Sequence, residues 1–366
     1  MEIQAAVTDG KGAPFAVQAV EVDDLRPDEV LVKVGAAGVC HTDLIVRDQW
    51  YPVPLPAVLG HEGAGVVERV GANVAKVAPG DRVGMSFASC GGCPTCMSGR
   101  PTYCHDFFAR NFGGTRPDGT TALSRGGEPV HSHFFGQSSF ATHAVATERN
   151  VLKLDADVPL EVAAPFGCGI QTGAGAILNV MRPPAGTSVA VFGTGTVGMS
   201  AIMAAAVAGA TTIIGIDLNA ARLELARELG ATHTINAGEE DAEEAIKAAT
   251  GGLGADYAIE STGVASVLRT AVDSTAPTGT TGVIGAPALG TEVSLDINGL
   301  LVPGRTVRGI VEGDSVPDIF IPRLLELWRQ GRFPVDRLMR HYDLDALDEA
   351  AHDAEEGRVI KAVVRT

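Results

Sequence analysis

The sequence predicts an α/β protein in which a parallel sheet is inserted into a β-rich domain. Residues 1–150 contain short, Val-rich and partly alternating runs that Gly, Pro and Asp interrupt, as expected for strands and turns. After Ala163, strand-like and helix-like stretches alternate, as they do in βαβ units. The alternation stops near Val311, and the last stretch, Val359–Val364, is strand-like again, so both ends of the chain are expected to build the β-rich domain.

The individual elements follow from local pattern. Glu29–Val34 and Gly65–Val70 are strand candidates, whereas Phe107–Ser139 is polar, Gly-rich and weakly periodic, which predicts a long loop ordered by packing. In the inserted region the predicted elements are the strand Ser188–Phe192, the helix Val197–Ala208, the strand Thr212–Ile216, the helix Ala220–Leu229 ended by Gly230, and the strands Tyr257–Glu260 and Gly282–Gly285. We therefore assign residues 1–169 and 311–366 to the β-rich domain and 170–310 to the inserted domain.

Composition limits the partners and the compartment. The chain of 366 residues is longer than one compact domain usually is, and its 28 basic and 44 acidic side chains give a net charge of −16. This charge argues against nucleic acid or an anionic membrane as partner. The start has no basic and apolar leader, and Ala201–Ala208 is too short to span a bilayer, so we expect a cytoplasmic protein. The six cysteines of a cytoplasmic protein should be reduced, and their clustering indicates metal binding.

A glycine motif follows the first strand of the inserted domain. Gly193, Gly195 and Gly198 form G-x-G-x-x-G between a predicted strand and a predicted helix, the context that a dinucleotide site requires. They permit, in turn, a tight turn, close approach of a pyrophosphate to the helix N-terminus, and close packing of helix and strand. Asp217, at the end of the second strand, can bind the ribose 2′-OH and repel a 2′-phosphate, which favours NAD over NADP. Arg222 could contact either the ribose or a phosphate.

Four cysteines lie close together in the first domain. Cys90, Cys93, Cys96 and Cys104 have the spacing C-x2-C-x2-C-x7-C. Four thiolates fill the tetrahedral coordination of one zinc ion and leave no open position, so the site is predicted to be structural and to order a lobe with little apolar core. The number of thiolates also admits an iron–sulfur cluster.

The other two cysteines suggest a second metal site. Cys40 and Cys168, with His61 and a neighbouring carboxylate, supply the ligand types of a catalytic zinc that keeps its fourth position for water or substrate. Such a metal lowers the pKa of a bound alcohol and prepares it to release a hydride. Sequence spacing does not show that these residues meet, because Cys168 also fits a buried small apolar residue and His61 a turn residue.

Four segments, GVCHTD, GHEGAGVV, CGGCPTC and VFGTGTVG, resemble in this order the zinc-containing medium-chain alcohol dehydrogenases. The resemblance runs from about Leu31 to the C-terminus and includes the long loop Gly113–Gly136 of the longer members. CHTDLIVRDQWYPVPLPAVLGHEG and GCGIQTGAG are most similar to bacterial aryl-alcohol (benzyl alcohol) dehydrogenases and to geraniol dehydrogenases. The resemblance implies a GroES-like catalytic domain with two zinc ions per subunit and a Rossmann NAD-binding domain, a doubly wound parallel sheet. It also implies a homodimer or homotetramer, for which the apolar segment Gly299–Val311 could serve.

The resemblance assigns catalytic roles to residues that match the family's motifs. Cys40, His61 and Cys168 match the catalytic zinc ligands. Asp43 matches the carboxylate that orients the ligand histidine, Glu62 matches a second acid near the metal, and Thr42 matches the hydroxyl that takes the proton from the alcohol. Asp43 and Glu62 also fit simple turn or salt-bridge acids.

It assigns cofactor contacts in the same way. Thr172 matches a threonine at the nicotinamide, His41 and Lys361 match basic contacts of the pyrophosphate, and Asp217 and Arg222 match contacts of the adenosine ribose. Lys361 also fits a solvated surface charge, and that alternative stays open.

One position departs from many relatives. Ile45 stands where they have a histidine that ends a proton relay to solvent, and an isoleucine cannot carry a proton. The relay then ends at the cofactor ribose and water, or at His41, whose imidazole suits proton transfer near neutral pH. His41 could equally be a phosphate contact only.

The substrate is predicted from aromatic residues. Tyr51, Phe134 and Phe135 match pocket positions of the family, with Trp50 nearby, in a chain that is only 5% aromatic. Rings stack on flat or allylic substrates and exclude water, although each ring also fits a plain core role. We therefore expect oxidation of primary aromatic alcohols to aldehydes, with allylic terpenoid alcohols such as geraniol as the near alternative.

Two other functions remain open. A glutathione-dependent formaldehyde dehydrogenase would need basic residues in the pocket, and only Arg47, Arg110 and Arg116, of uncertain placement, are candidates. A non-enzymatic NAD-binding sensor or scaffold would be favoured by a lost zinc ligand or a lost Thr42, but all of these residues are present.

Overall fold

The structure, a computed structural model, describes residues 1–366. The chain forms two compact units. The first comprises Met1–Cys168, Val316–Leu325 and Asp336–Thr366, and the second comprises Gly169–Ser315 and Glu326–Val335. These units differ from the predicted domains in the C-terminal part of the chain. Residues 311–315 and 326–335 were assigned to the first domain, but they belong to the second unit.

The strands are β1 (Glu2–Thr8), β2 (Ala16–Val22), β3 (Glu29–Gly38), β4 (Ala57–Val58), β5 (Gly63–Val70), β6 (Arg82–Met85), β7 (Leu123–Arg125), β8 (Glu128–Val130), β9 (His143–Thr147), β10 (Val151–Lys153), β11 (Ser188–Phe192), β12 (Thr212–Asp217), β13 (His233–Asn236), β14 (Ala255–Glu260), β15 (Thr275–Val283), β16 (Thr306–Gly309), β17 (Met339–Asp343) and β18 (Lys361–Arg365). The α-helices are α1 (His41–Arg47), α2 (Pro94–Met97), α3 (Phe107–Phe112), α4 (Leu160–Ala163), α5 (Gly169–Gly175), α6 (Thr196–Ala208), α7 (Ala220–Glu228), α8 (Ala242–Ala249), α9 (Ala265–Asp273), α10 (Ile297–Leu301), α11 (Pro317–Arg329) and α12 (Leu347–Glu355). Short 3₁₀ turns and one π-helical stretch, Ala176–Met181, join them.

The first unit contains two β-sheets. One has the strand order β4-β1-β2-β7-β8, and the other has the order β10-β6-β5-β3-β18-β17, with β9 also paired to β3. Strand β3 lies inside its sheet, and nearly all its residues are buried. A strand that is covered on both faces needs a continuous apolar run, which this segment provides. It pairs antiparallel with β5 and with β18, so three distant parts of the chain meet along it.

The predicted long loop Phe107–Ser139 is partly wrong. It contains helix α3, the hairpin of β7 and β8, and a 3₁₀ turn at Phe134–Gly136. The hairpin turn is Gly126-Gly127, with φ of 60° and 85°, because a two-residue hairpin turn of this type needs positive φ at both positions. Weak periodicity concealed these elements because each is only three to six residues long.

The second unit is built on a parallel sheet of order β13-β12-β11-β14-β15-β16. The predicted strand and helix pattern of this region is confirmed, and the order is that of a doubly wound dinucleotide-binding sheet. Strand β11 is fully buried at its centre, and the order reverses between β11 and β14, the place where such sheets bind ligands. No helix in the protein combines the length and the apolar character needed to cross a membrane.

Candidate active site

Two cysteines and a histidine from three segments of the first unit meet in one cluster. One ligating atom each of Cys40, His61, Glu62 and Cys168 lies within 4.8 Å of the others. Cys40 follows β3 and His61 precedes β5, and these two strands are antiparallel neighbours with Ala37 opposite Gly63. The strand pairing therefore brings the two ligands together, and the predicted meeting of Cys40, His61 and Cys168 is what the structure shows.

The histidine is held in the orientation that metal binding requires. Its Nδ1 lies 2.8 Å from Oδ1 of Asp43, and both side chains are fully buried. Asp43 also accepts hydrogen bonds from the backbone N–H groups of Cys40 at 2.9 Å and Gly60 at 3.1 Å, which fixes its carboxylate. The other ring nitrogen, Nε2 of His61, is buried and has no hydrogen-bond partner. A buried imidazole nitrogen left open beside two thiols fits a zinc ligand whose second nitrogen is oriented by a carboxylate.

Two pKa shifts show which charge the cluster favours. A hydrogen bond with Cys168 and the neighbouring His61 lower the pKa of Cys40 well below its usual value, although burial opposes this shift. Burial acts to lower the pKa of His61, but the Asp43 carboxylate and Cys40 outweigh it and raise that pKa well above its usual value. Both shifts reflect the negative groups around the imidazole, and a divalent cation between the thiols and Nε2 of His61 would be stabilised by the same charges.

Burial contradicts the alternative that Lys361 is a solvated surface charge, whereas its predicted contact with the pyrophosphate stays a prediction. Lys361 is 1% exposed, and its Nζ donates to Glu62 Oε2 at 2.8 Å, to Glu62 Oε1 at 3.0 Å and to the Val39 carbonyl at 2.9 Å. The structure therefore pairs the Lys361 ammonium group with the Glu62 carboxylate beside the cluster. Burial acts to lower the pKa of Lys361, but Glu62 raises it, and burial raises the pKa of Glu62.

Helix α1 places the other predicted catalytic residues beside the cluster. The Thr42 hydroxyl lies 3.7 Å from Sγ of Cys40, whereas His41 is exposed to solvent. Ile45 is 2% exposed and packs inside, so the position that lacks the relay histidine is apolar and buried.

Aromatic rings pack against the histidine of the cluster. The ring centroid of His61 lies 4.6 Å from that of Phe135 and 5.3 Å from that of Phe134. Phe112 continues the run, at 5.2 Å from Phe135 and 5.6 Å from Tyr51. Tyr51 is half-buried, so the rings extend from the metal-ligand cluster to a partly exposed residue.

Sequence reasoning missed part of this group of rings. Phe107, Phe108 and Phe112 all come from helix α3, which lies within the segment predicted as a loop. Phe108 stacks on Phe112 at 4.7 Å, and Phe107 meets Phe135 at 6.3 Å. The closely spaced Phe residues in Phe107–Phe112 were the available signal. Trp50 is 48% exposed, and the structure does not bring it into the group.

The four remaining cysteines form a separate lobe, which we call the cysteine lobe (Cys90–Cys104). The Sγ atoms of Cys90, Cys93, Cys96 and Cys104 lie within 4.8 Å of one another, and all four thiols are free. A hydrogen bond with Thr95 lowers the pKa of Cys93 to about 5, and burial raises the pKa of Cys96 to about 12. Four sulfurs at this separation fit tetrahedral coordination of one ion.

The glycine turn of the second unit has the geometry predicted for a dinucleotide site. Gly193 has φ of 86°, which a side chain would strain. A Cβ on Gly198 would lie 1.8 Å from the Gly193 carbonyl oxygen, so only glycine permits this packing of helix α6. A Cβ on Gly195 would meet no protein atom within 4 Å, so the turn leaves open space there, as a pyrophosphate needs.

Asp217 ends β12 next to this turn. Its Oδ2 accepts from the backbone N–H of Thr194 at 2.7 Å and from the Thr194 hydroxyl at 2.8 Å, and its Oδ1 accepts from the N–H groups of Leu218 and Asn219. Burial acts to raise the pKa of Asp217, but these bonds outweigh it and lower that pKa, so the carboxylate is ionised. Arg222 is half-buried, and its Nε has no partner within the protein.

Thr172 lies beside a carboxylate that sequence reasoning did not find. Its hydroxyl is 3.4 Å from Oε2 of Glu312, which also accepts from Nε2 of Gln171 at 3.2 Å. Glu312 is 7% exposed and has φ of 49°, and Gly313 follows with φ of 62°. The sequence around Glu312 contains no motif, because only folding brings it next to helix α5.

Comparison with known proteins is consistent with this site. Residues 26–156 match the family described as alcohol dehydrogenase GroES-like domain, and residues 196–328 match the family described as zinc-binding dehydrogenase. The chain is 49% identical to geraniol dehydrogenase from Castellaniella defragrans over 363 residues, which cover 99% of this chain and 97% of that protein.

Solved structures agree in fold. A crystal structure of benzyl alcohol dehydrogenase from Acinetobacter calcoaceticus is 48% identical, with a TM-score of 0.97, and the match covers 100% of this chain and 99% of that one. A zinc-binding alcohol dehydrogenase domain protein from Burkholderia ambifaria is 55% identical, with the same TM-score and the same coverage.

The fold and the cluster thus define a zinc-type oxidoreductase with a GroES-like domain and a Rossmann domain. The chain belongs to the zinc-containing alcohol dehydrogenase family, as the sequence resemblance predicted.

Proposed function

We propose that this protein oxidises primary aromatic alcohols of the benzyl alcohol type to aldehydes and transfers the hydride reversibly to NAD. The observation that carries the proposal is the run of rings from Tyr51 through Phe112 to Phe135, which packs 4.6 Å from the ring of His61. Such a wall favours a flat substrate and excludes water from the reacting alcohol.

The residues of the cluster have distinct roles in this proposal. Cys40, His61 and Cys168 would hold a zinc ion that acts as a Lewis acid and lowers the pKa of the alcohol. Asp43 keeps Nε2 of His61 directed at that ion by accepting the proton of Nδ1. The Thr42 hydroxyl would accept the proton of the alcohol and release its own proton to the next group of the relay. Because Ile45 is buried and apolar, the exposed His41 or the cofactor ribose passes that proton to solvent.

NAD is proposed over NADP because the Asp217 carboxylate is ionised and fixed at the end of β12. A fixed negative charge there repels a 2′-phosphate. Asp217→Gly should weaken the preference for NAD, measured as the ratio of kcat/KM for NAD to that for NADP. An unchanged ratio would remove Asp217 as the selecting residue.

A second zinc ion per subunit is proposed in the cysteine lobe, where it would order the turns between the four thiols. None of the six cysteines forms a disulfide, which supports the proposal of a reducing compartment such as the cytoplasm.

A homodimer or homotetramer is proposed from one surface of the second unit. Ile297, Leu301 and Val302 of helix α10 and its C-cap are 71–81% exposed, and β16 is the edge strand of the parallel sheet. Exposed apolar residues next to an open strand edge favour association. Light scattering of the wild type and of a Leu301→Lys variant tests this, and an unchanged mass would contradict it.

The structure favours this reading over formaldehyde oxidation as a glutathione adduct. That substrate needs free basic side chains, but Arg47 pairs with Asp48 and Glu355, and Arg116 is buried against Glu29. Only Arg110 is left, 3.7 Å from Asp106, and one arginine is not a basic cluster. Allylic alcohols such as geraniol remain the nearer alternative, because a geraniol dehydrogenase and a benzyl alcohol dehydrogenase are about equally similar to this chain.

An assay of NAD reduction with benzyl alcohol, geraniol, ethanol and S-hydroxymethylglutathione, before and after chelation, tests the proposal. We expect the highest kcat/KM with benzyl alcohol and its loss on zinc removal. Higher kcat/KM with geraniol would move the substrate to allylic alcohols, and turnover of the glutathione adduct alone would place the protein with formaldehyde dehydrogenases. No turnover of any alcohol would favour a non-enzymatic sensor.

A further inference from the structure

The segment His133–Ser138, which we call the ring loop, has an unusual backbone. Its residues His133, Phe135 and Ser138 have φ of 66°, 50° and 52°, and Gly136 has φ of 67°. Residues with side chains rarely adopt the left-handed region because Cβ then crowds the backbone. Three such residues within six need strong contacts from the surrounding structure to hold them. The ring loop carries both rings, Phe134 and Phe135, that pack on His61.

The downstream end of the ring loop is tied to the segment that contains the metal ligand. The Gln137 side chain is 1% exposed; its carbonyl accepts from the N–H of Gly63 at 2.9 Å, and its amide donates to the carbonyl of His61 at 2.9 Å. The Ser138 hydroxyl donates to the Val58 carbonyl at 2.6 Å and accepts from the N–H of Phe134 at 3.0 Å. These bonds fix the loop relative to His61.

The upstream end is held by a buried ionic cluster far from the metal ligands in sequence. Arg116 binds Glu29 through two parallel hydrogen bonds, Nε to Oε1 at 2.7 Å and Nη2 to Oε2 at 3.0 Å. Nε2 of His133 lies 3.6 Å from the same Oε1, too far for a hydrogen bond, and its Nδ1 lies 3.1 Å from the Ser132 hydroxyl. All three members, Glu29, Arg116 and His133, are at most 5% exposed.

Glu29 and Arg116 are themselves fixed by further hydrogen bonds. Glu29 begins strand β3 and also accepts from the N–H of Arg26 at 2.7 Å, while Arg116 donates to Asp23 at 2.9 Å and to the Thr121 carbonyl at 3.0 Å. Burial acts to raise the pKa of Glu29, but His133 and Arg116 lower it to about 2, so the carboxylate stays charged under all physiological conditions. The His133 ring is therefore packed beside this fixed carboxylate, and its backbone leads directly into Phe134.

We propose that Glu29, Arg116 and His133 are positioning residues that set selectivity for ring-bearing alcohols, because they hold the ring loop and its two phenylalanines against His61. This inference rests on the proposed function, because it concerns the substrate of the same site. A small alcohol makes few contacts with these rings, so loosening the loop weakens a ring-bearing substrate more than a small one.

Three variants test the cluster. His133→Ala removes the imidazole and leaves a Cβ in a left-handed conformation, whereas His133→Asn keeps a polar group and a residue type that tolerates this conformation. Arg116→Lys keeps the charge but loses the paired hydrogen bonds. The control is Tyr342→Phe, which removes a buried 2.7 Å hydrogen bond to Asp353 away from the ring loop.

The measured quantity is the ratio of kcat/KM for benzyl alcohol to that for ethanol. We expect it to fall about tenfold in His133→Ala and in Arg116→Lys, mainly through a higher KM for benzyl alcohol, and to recover to within about threefold of the wild type in His133→Asn. Zinc content and the ratio in Tyr342→Phe should equal those of the wild type. An unchanged ratio in His133→Ala and Arg116→Lys, or an equal fall in Tyr342→Phe, would overturn the inference.

A second measurement separates this inference from the proposed function. Calorimetric binding of benzamide and acetamide to the zinc- and NADH-loaded protein gives a ratio of dissociation constants that needs no turnover. If the wild type oxidised no alcohol, the proposed function would fail. The positioning role would still be supported if the preference for benzamide over acetamide were lost in Arg116→Lys and kept in His133→Asn. If His133→Ala does not fold, the comparison of Arg116→Lys with His133→Asn decides, and equal preferences in these two variants would refute it.

Discussion

The two metal-ligand clusters of the first unit both bring their ligating atoms within 4.8 Å of one another, but their surroundings differ. The cysteine lobe takes all its ligands from Cys90–Cys104, and three of the four are partly exposed. The Cys40–His61–Cys168 cluster takes its ligands from three distant segments and buries His61 completely.

The difference lies in what surrounds the ligands. Around His61 the structure places the Asp43 carboxylate, the Glu62–Lys361 ion pair and the rings of Phe134 and Phe135. Around the cysteine lobe it places mainly backbone turns and the hydroxyl of Thr95, 3.1 Å from Cys93 Sγ. The cysteine lobe therefore has the ligands of a metal site only. The Cys40–His61–Cys168 cluster also has oriented acids and apolar rings that exclude water, which catalysis needs.

The largest effect is expected on turnover. His61→Ala removes one ligand of the assembled cluster, so kcat/KM for any alcohol should fall by at least about 10³-fold. Metal analysis should find one zinc ion per subunit fewer than in the wild type, and circular dichroism should be unchanged. Retained turnover in a variant that has lost this zinc would contradict the division of roles between the two clusters.

Substitution of a ligand in the cysteine lobe should lower the stability of the fold rather than turnover. Cys104→Ser removes one of the four ligands, so we expect the free energy of unfolding to fall by about 3 kcal/mol and the melting temperature by about 4 °C. Freshly folded protein should keep most of its turnover. If this variant instead loses turnover at unchanged melting temperature, the lobe has a direct catalytic role and the comparison fails.

The sequence revealed what is local and concealed what depends on folding. The cysteine spacing and the glycine turn at Gly193 could be read directly, because each places its whole geometry within about fifteen residues. The meeting of Cys40, His61 and Cys168 came from family resemblance, since no spacing rule links segments that only strand pairing brings together.

Lys361 shows why the rest could not be predicted. It looks like a surface charge near the end of the chain, but β18 pairs with β3 and thereby buries it against Glu62. The helix Phe107–Phe112 was hidden in the same way, because a short helix surrounded by glycines has little periodicity. The ring loop has no sequence signal at all for the positive φ of Phe135.

An intermediate effect is expected for the acid that orients the histidine. Asp43→Asn keeps the size of the side chain but removes the charge that faces Nδ1 of His61, so zinc affinity at the assembled cluster should weaken by about 10- to 100-fold. Competition with a chelator measures this. The matched change in the cysteine lobe is Thr95→Val, which should alter zinc affinity by less than about threefold. Equal losses in both variants would show that the clusters do not differ in their surroundings.

The smallest effect on the reaction is expected at the support of the ring loop, where the effect on stability depends on pH. The folded-state pKa of Glu29 is about 2, below the usual value of 4.5, so its carboxylate stabilises the fold fully above about pH 4.5, and that contribution is lost as pH falls towards 2. Glu29→Gln should therefore lower the free energy of unfolding by about 3 kcal/mol at pH 7, because the buried Arg116 loses its charged partner, and by progressively less in acid.

The control for this measurement lies at the edge of the cysteine lobe. Asp106 is 58% exposed and 3.7 Å from Arg110, so Asp106→Asn should leave stability unchanged at every pH, because exposed ion pairs contribute little. Denaturant unfolding of both variants and the wild type between pH 3.5 and 7 gives the comparison. A loss in Glu29→Gln that stays constant down to pH 3.5 would mean that the carboxylate is not ionised in the fold, and the assembled site would then depend on shape rather than charge at this point.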